Sequence, residues 1–423
     1  MDTITVIDIG SEKVAVAIAT VEEGADPHVI GFSAEKSKGI KKSHIIDINE
    51  ATKTLEKAIN NTERMAGNRI NRATIIIGGP NIMSLNSHGV VAVNYQTNDI
   101  QQEDIERVID SAKAVSLAAN REIIHVLPQE FTVDGQGEIK NPVGMNGVRL
   151  EVETHIITAS AIALNNVRKV CGLLGVDIEG FIFSGIASAQ ANLTETEKEL
   201  GCAMLDIGAG TTDICIYSDS SVIHTAVVPV GSRNVTNDIS AGLRISIESS
   251  EKLKRFLFDY EKKQQEKEDD EEEINIASLR LNERITTVQK KELIQGIIYP
   301  RIDELIELVE KELKHSDILA KIPSGIIVSG GGAGTPYLIE RLRQSFSLPV
   351  RIGVPHMLGG IADELHTPDY SALVGALLYT KDIKEPQQSF AFPELPNMFS
   401  KMEVKENFNK LVDFFKNFIP GSK

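Results

Sequence analysis

Apolar, β-branched runs separated by short glycine-bearing breaks dominate the pattern of the chain. Residues 3–9 (TITVIDI) form such a run, and its unbroken apolar character predicts a strand buried on both faces. A polar turn follows at 10–13, then VAVAIATV at 14–21, so the pattern predicts a β-hairpin. Over 49–66 the period changes. Leu55 and Ile59 recur at helical spacing, with Asn49 as the expected N-cap. ATIIIGG at 73–79 predicts another buried strand, stopped by Gly78, Gly79 and Pro80.

Residues 82–161 differ in texture. They predict a strand at 90–93, an amphipathic helix from about Glu103 with Ile105, Val108, Ile109 and Ala112 on one face, and turns at 134–135, 141–142 and 146–147. This is the pattern of a small α+β insert. Beyond it, CAMLDIGAGTTDICIY (202–217) repeats the plan of TITVIDIGSEKVAVAI (3–18): apolar strand, Asp-Ile-Gly, polar turn, second strand. Such an internal repeat predicts a duplicated α/β fold. SGIIVSGGGAGTPYL (324–338) carries a third glycine turn between a strand and a helix. LHTPDYSALVGALLYT (365–380) predicts a helix whose small residues Ser371, Ala372, Gly375 and Ala376 permit close backbone approach.

The chain has 423 residues, enough for about three domains. It carries 44 basic and 60 acidic residues, a net charge of −16, which excludes bulk electrostatic binding of nucleic acid. Any membrane contact must therefore be local. Cys171, Cys202 and Cys215 are widely spaced without a CxxC, and read as buried fillers of a protein in a reducing cytosol. MDTITVIDIG enters a strand at once and lacks the pattern of a signal peptide, and no run of 18 apolar residues predicts a membrane-spanning helix. Residues 261–273 (EKKQQEKEDDEEE) form a charge run, with seven of the eight residues 266–273 acidic, and read as a solvated loop.

The two Asp-Ile-Gly turns carry the chemistry. Facing hairpins can grip a polyphosphate from both sides: Gly10, Gly208 and Gly210 let backbone amides approach oxygen, and Ser11, Thr211 and Thr212 donate hydroxyls. Asp8 and Asp206 precede the turns. Carboxylates there would repel phosphate unless a hard cation intervened, and magnesium, reached directly or through its waters, is the natural mediator. Lys13 can neutralise phosphate charge. The turn at Gly330, Gly331 and Gly332 suits a nucleobase or ribose. It is not a Rossmann fingerprint, because Thr335 stands where glycine is required. No Gly-Lys dipeptide, HExxH or GxSxG occurs, which removes Walker A, zinc-protease and simple hydrolase readings.

Residues 383–400 read as a proline-bearing linker, and 401–420 as an amphipathic helix. At 100° per residue, Val404, Phe408, Leu411, Val412, Phe415, Phe418 and Ile419 fall within about 120° of arc, with Phe414 just outside. Lys405 and Lys416 flank the apolar edge. From 401 to 423 five lysines stand against three acids. Such a helix either docks on its own protein or enters a membrane surface or partner groove, and the second use fits the basic flanks better.

VIDIGSEKV, HVLPQEFTVDGQGEIKNPVGMNGVRLEVETHIITAS (125–160), EKELGCAMLDIGAGTTDI, VSGGGA and PDYSALVGALLY resemble the actin superfamily and, within it, the FtsA family of bacterial cell-division proteins. The likeness covers about 1–382 and the tail, and the 125–160 block is the part specific to FtsA. It implies an actin-like, duplicated two-lobed ATPase fold with ATP and Mg2+ between the lobes. It places 1–81, 162–190 and 358–382 in a first lobe (1A), 82–161 in an inserted subdomain (1C), 191–225 and 296–357 in a second lobe (2A), and 226–295 in a subdomain 2B. By motif, Asp8, Gly10, Ser11 and Lys13 match the first phosphate hairpin and Asp206, Gly208, Gly210, Thr211 and Thr212 the second. Ser329, Gly330, Gly331 and Gly332 match the adenosine turn. Glu251 and Lys254 fall where actin-like ATPases contact the nucleoside.

The resemblance further implies filaments, binding of the C-terminal peptide of the tubulin-like FtsZ near 226–295, contacts with downstream divisome proteins, and attachment by the terminal helix to the cytoplasmic face of the membrane at the division site. No catalytic base is evident, which implies at most slow ATP hydrolysis. Two features depart from the family pattern: residues 255–278 are unusually acidic, and Ala209 stands where glycine is frequent. The rival readings are a pilus-assembly adaptor, a chaperone-type ATPase or a small-molecule kinase of the same superfamily. A kinase would need a catalytic carboxylate and sugar pocket that the sequence does not display, and would leave the tail helix unexplained; a chaperone would be expected to carry a peptide-binding domain after the ATPase, and a pilus adaptor to lack the membrane helix.

Overall fold

The computed structural model describes residues 2–93, 99–264 and 272–384. Two sheets share one plan. In the first lobe six strands run in the order Asp177–Phe183, Arg72–Ile77, Asp2–Ile9, Lys13–Val21, His28–Lys36, Gly359–Gly360. In the second, five run in the order Ser221–Val228, Thr212–Ser218, Cys202–Ile207, Ile326–Ser329, Val350–Ile352. Each lobe centres on a hairpin whose first strand pairs antiparallel with the second and parallel with a strand on its other side. All of Cys202–Ile207 and the middle of Asp2–Ile9 are buried, which is why these strands read as unbroken apolar runs.

Helix Ile48–Ala66 covers the first sheet. Its N-cap is Asp47, not Asn49: Asp47 has extended backbone (φ −142°) and its carboxylate accepts from the Asn49 and Glu50 amides, the orphan donors of the first turn. Gly67 ends the helix at φ 68°. The helix expected over 365–380 begins later, spanning Ser371–Lys384, with a short 3-10 turn Pro368–Tyr370 before it. It packs on Ser184–Asn192 so closely that a Cβ on Gly375 would lie 1.7 Å from Ala187 O. These two helices share one core with both sheets, including Ile4, Ala187, Met204, Ile327 and Leu377. That core ties the lobes together beneath the cleft.

The insert is a four-stranded sheet in the order Met83–Ala92, Arg149–Ser160, Arg121–Val133, Gln136–Ile139, with helix Gln102–Lys113 on one face. Its first strand is longer than the 90–93 expected. Ile105, Val108, Ile109 and Ala112 pack on Phe131, Val133, Leu150 and Val152, a core separate from those of the lobes. The rest of the sheet packs into the core shared by the lobes through Ile124, Leu127, Ile157 and Ala159, and its polar groups reach the second lobe. Ser84 Oγ donates to Thr225 O (2.8 Å), Gln129 Nε2 to Val222 O (2.8 Å) and Lys140 Nζ to Asp219 O (2.6 Å).

All three cysteines are buried and free. The acidic stretch is not a plain loop at its described ends: Glu261 belongs to helix Ile247–Gln264 and accepts from the Tyr337 amide, and Glu273 begins a hairpin strand, Glu273–Asn275. Residues 266–271 lie outside the described residues, as do the amphipathic segment 401–420 and most of the expected linker. The linker's first two positions, 383 and 384, close helix Ser371–Lys384. No helix among the described residues is long and apolar enough to cross a membrane.

Candidate functional site

The two glycine turns close by the same hydrogen bond. Gly10 N donates to Lys13 O (3.1 Å), and Gly208 N to Thr211 O (2.9 Å). They meet across a cavity of about 610 Å³ between the lobes, a volume suited to a nucleotide-sized ligand. A Cβ on Gly210 would lie 3.2 Å from Ser11 Oγ, so the turns are in near contact. Glu12 of the first turn forms an ion pair with Arg233 of the second lobe across the mouth. Arg233 lies in the first turn of helix Ser232–Leu243, whose first amides are satisfied by the second turn: Ser232 N donates to Gly208 O and Arg233 N to Ala209 O.

Asp8, Gly10, Ser11, Lys13, Asp206, Gly208, Gly210, Thr211, Glu251, Lys254, Gly330 and Gly331 all line this cavity. Thr212, Ser329 and Gly332 do not. Thr212 is buried behind the second turn and donates to Val230 O (2.9 Å). Ser329 is fully buried and shares a hydrogen bond with Ser371 Oγ. A Cβ on Gly332 would lie 2.3 Å from Ile207 Cγ2, so its glycine answers to packing against the second hairpin. Gly330 is constrained twice, by φ 79° and by Asp206 Oδ1 2.3 Å from its virtual Cβ.

Three carboxylates face the cavity floor. Burial raises the pKa of Asp8 to about 7, with Lys13 opposing and Asp206 adding to the rise. Burial raises Asp206 to about 6, opposed by Ser188, whose hydroxyl donates to Asp206 Oδ2 (2.6 Å), and by Lys13. Asp213 rises to about 7, from burial first and the Asp206 charge second, opposed by Ser184 and the Gly79 amide. Lys13 is the facing cation. It lies 3.4 Å from the centre of the Tyr370 ring and 3.8 Å from Asp369 Oδ1. Burial lowers its pKa, and the surrounding carboxylates oppose this.

On the second lobe's rim, Lys254 Nζ lies 2.8 Å from Glu251 Oε2 and donates to Thr236 Oγ1 (2.9 Å). Thr236 in turn donates to Glu251 (2.7 Å). Burial works to raise the Glu251 pKa, but Lys254, Thr236 and Arg255 outweigh it and hold the acid ionised. The pair is thus an ordered, hydrogen-bonded edge of the cavity rather than a loose surface contact.

Sequence reasoning missed Asp213, Arg233, Asp369 and Ser43, which also line the cavity. Asp213 had a readable signal, an acid inside the apolar strand TDICIY. The others come from loops and a helix end that only the fold brings near. Asp213 Oδ1 is buried with no hydrogen-bond partner. Three acids supplying only carboxylate oxygen, one of it unsatisfied, fit a hard divalent cation. Among the described residues no three His, Cys, Asp or Glu side chains are grouped closely enough to hold a metal by themselves. The donors therefore suit a cation that keeps water or phosphate ligands, as magnesium does.

A duplicated two-lobed α/β fold with mirrored glycine turns at the cleft defines an actin-like protein. Solved structures of that fold superimpose over most of the chain. The PilM–PilN type IV pilus biogenesis complex matches with a TM-score of 0.60 and 12% identity, covering 89% of this chain and 98% of that one. MreB 5 of Spiroplasma citri bound to AMPPNP matches with a TM-score of 0.54 and 14% identity, covering 91% and 98%. A family profile described as the SHS2 domain inserted in FTSA matches residues 79–158, and one described as cell division protein FtsA matches 203–375. Cell division protein FtsA of Pseudomonas aeruginosa is 36% identical over 373 residues, 88% of each chain. That of Borreliella burgdorferi is 33% identical over 410 residues, 97% of each, and that of Escherichia coli K12 31% over 383, covering 89% of this chain and 90% of that one. The chain belongs to the FtsA family of cell-division proteins.

Proposed function

We propose that the chain binds ATP with Mg2+ in the cleft, assembles with copies of itself, and tethers FtsZ filaments to the cytoplasmic face of the membrane at the division site, where later divisome proteins join. The observation that carries the nucleotide reading is the pair of identically closed glycine turns meeting across one cavity. In this reading the turn amides and the Ser11 and Thr211 hydroxyls donate to phosphate oxygens. Lys13 offsets phosphate charge. Gly331, which lines the cavity beside the Asp369 carboxylate, offers its backbone to the nucleoside, and the Glu251–Lys254 pair flanks it. Asp8 and Asp206, with Asp213 beside them, would hold magnesium through its water ligands; bound there, it would relieve the repulsion between carboxylates and polyphosphate.

The remaining parts of the proposal rest on family membership and on the sequence pattern. The 226–295 region is assigned to the FtsZ peptide, the 82–161 insert to contacts between subunits and with divisome proteins, and 401–420 to the membrane. A single amphipathic helix gives weak attachment, and assembly adds many such helices together. Flotation with anionic liposomes, with and without ATP, tests the membrane and nucleotide parts of this reading on the full chain and a 1–400 truncation. The full chain is expected to float, more so with ATP, while the truncation stays in the dense fraction. Flotation of the truncation to the same extent would remove the tail as the anchor.

A further inference from the structure

The turn at Lys42 and Ser43 lies outside both glycine turns yet touches each of them. Ser43 N donates to Ser11 Oγ (2.9 Å), and Ser43 lines the cavity. A Cβ on Gly210 would lie 3.3 Å from Lys42 Cα and 3.4 Å from Lys42 Cγ, and one on Gly79 would lie 2.6 Å from Lys42 O. A first-lobe turn thus rests against the glycine that the second lobe presents to the cleft.

Its backbone is unusual for its sequence. Lys42 and Ser43 join the two-residue strands Ile40–Lys41 and His44–Ile45, and their φ angles are 49° and 58°. Two successive left-handed residues make the hairpin turn that Asn-Gly fills at least cost. Here Lys and Ser occupy it against that preference. Strained backbone of this kind persists where the surroundings hold it and concentrates at functional sites. The hold is visible: Ile46 N and Asp47 N both donate to Gly39 O (2.8 and 3.1 Å), closing the loop onto the capped end of helix Ile48–Ala66.

The polar groups are disposed for an anion. Ser11 Oγ accepts from Ser43 N, which leaves its own proton to donate elsewhere, and the open side is the cavity. Lys13, Arg233, Lys252, Lys254 and Arg255 around the cavity are each paired with an acid, whereas among the described residues no acid lies within ion-pair distance of Lys36 on the cavity wall or of Lys42, which stands beside the wall against Gly210. We propose that this turn reads the terminal phosphate of the bound nucleotide, with Lys42 supplying the charge and Ser43 orienting the Ser11 hydroxyl. The inference rests on the nucleotide reading of the cleft. A triphosphate reaches further toward the meeting point of the turns than a diphosphate and carries more charge, so Lys42 favours it selectively.

The test is isothermal titration of the full chain with Mg2+ and either AMPPNP or ADP, comparing wild type with Lys42→Met and Lys42→Arg. Methionine keeps the alkyl contact with Gly210 and removes only the charge. The expected result is about tenfold weaker AMPPNP binding in Lys42→Met, ADP binding within about twofold of wild type, and AMPPNP affinity largely restored in Lys42→Arg. Lys42→Gln, which exposes no apolar surface, serves if Lys42→Met fails to fold and carries the same expectation. Equal losses for both nucleotides, or no loss for either, would overturn the proposal while leaving the cleft as the nucleotide site. Wild type that binds neither nucleotide would overturn the cleft reading, and this proposal with it.

Discussion

Asp213 sits just past the two threonines of the second turn, in a strand buried along all but its last residue. Its carboxylate shares the cavity floor with Asp8 and Asp206, and all three have folded-state pKa values raised by burial. The sign follows from proton counts. Between the unfolded value near 4 and a folded value of about 7 the native state holds a proton that the unfolded chain has lost, so stability falls as pH rises through that window. His125 and His155 act oppositely. Burial lowers them to about 4 and about 3, so they cost stability as pH falls below about 6.5. The two sets partly cancel in the wild type, and a variant is needed to separate them. Asp213→Asn removes one carboxylate while keeping the side chain's size. In the nucleotide-free protein its melting temperature should match wild type near pH 4 and exceed it increasingly up to about pH 7. A gap that does not change with pH would show that Asp213 is not protonated on folding. The glycines and hydroxyls of the turns were legible in the sequence because turn chemistry is local. The facing cation of the floor was not: Asp206 and Asp213 pair opposite each other across the second hairpin, but Lys13 comes from the first and meets them only where the two lobes come together.

At the scale of elements, unbroken apolar runs gave the central hairpins, and the insert helix kept every apolar position its period assigned. Helix ends were harder. Asp47 and Asn49 are both capping types, and the choice between them depends on which residue takes extended backbone. The small-residue stripe at Ser371, Ala372, Gly375 and Ala376 carried more information, because it announced a close helix contact without naming the partner. The partner is Ser184–Asn192, with Ala187 O where a Gly375 Cβ would stand. Gly375→Ala must push the two helices apart and should destabilise the protein by about 1–3 kcal/mol. Gly172 provides the contrast. It lies in helix Ala161–Leu173 with open space where a Cβ would go, so Gly172→Ala should stabilise by roughly 0.5–1 kcal/mol through helix propensity. Urea unfolding of both variants checks the pair, and opposite signs are the required outcome.

Across the whole molecule, the insert belongs to the first lobe by chain connection but leans on the second. Ser84, Gln129, Lys140 and His155 reach the outer strand Ser221–Val228 and its approach, mostly through backbone carbonyls. The sequence marked the insert as a separate unit, yet could not show this contact, because hydrogen bonds to main-chain oxygen leave no trace in the side chains of the strand that accepts them. The shared apolar core reaches this contact through Leu127, Ile157 and Val222, and the polar contacts at its edge add about 1 kcal/mol each. Any rotation of the lobes about the shared core must therefore slip or break these polar contacts first. Removing Gln129 and Lys140 together should free the strand without unfolding the protein, since neither side chain is part of a core. In Gln129→Ala/Lys140→Ala, amide exchange over Ser221–Val228 should accelerate about tenfold or more while the strands Asp2–Ile9 and Cys202–Ile207 keep wild-type protection. Acceleration in the central strands as well would mean that the insert supports global stability, and unchanged exchange at Ser221–Val228 would mean that these hydrogen bonds do not restrain the second lobe.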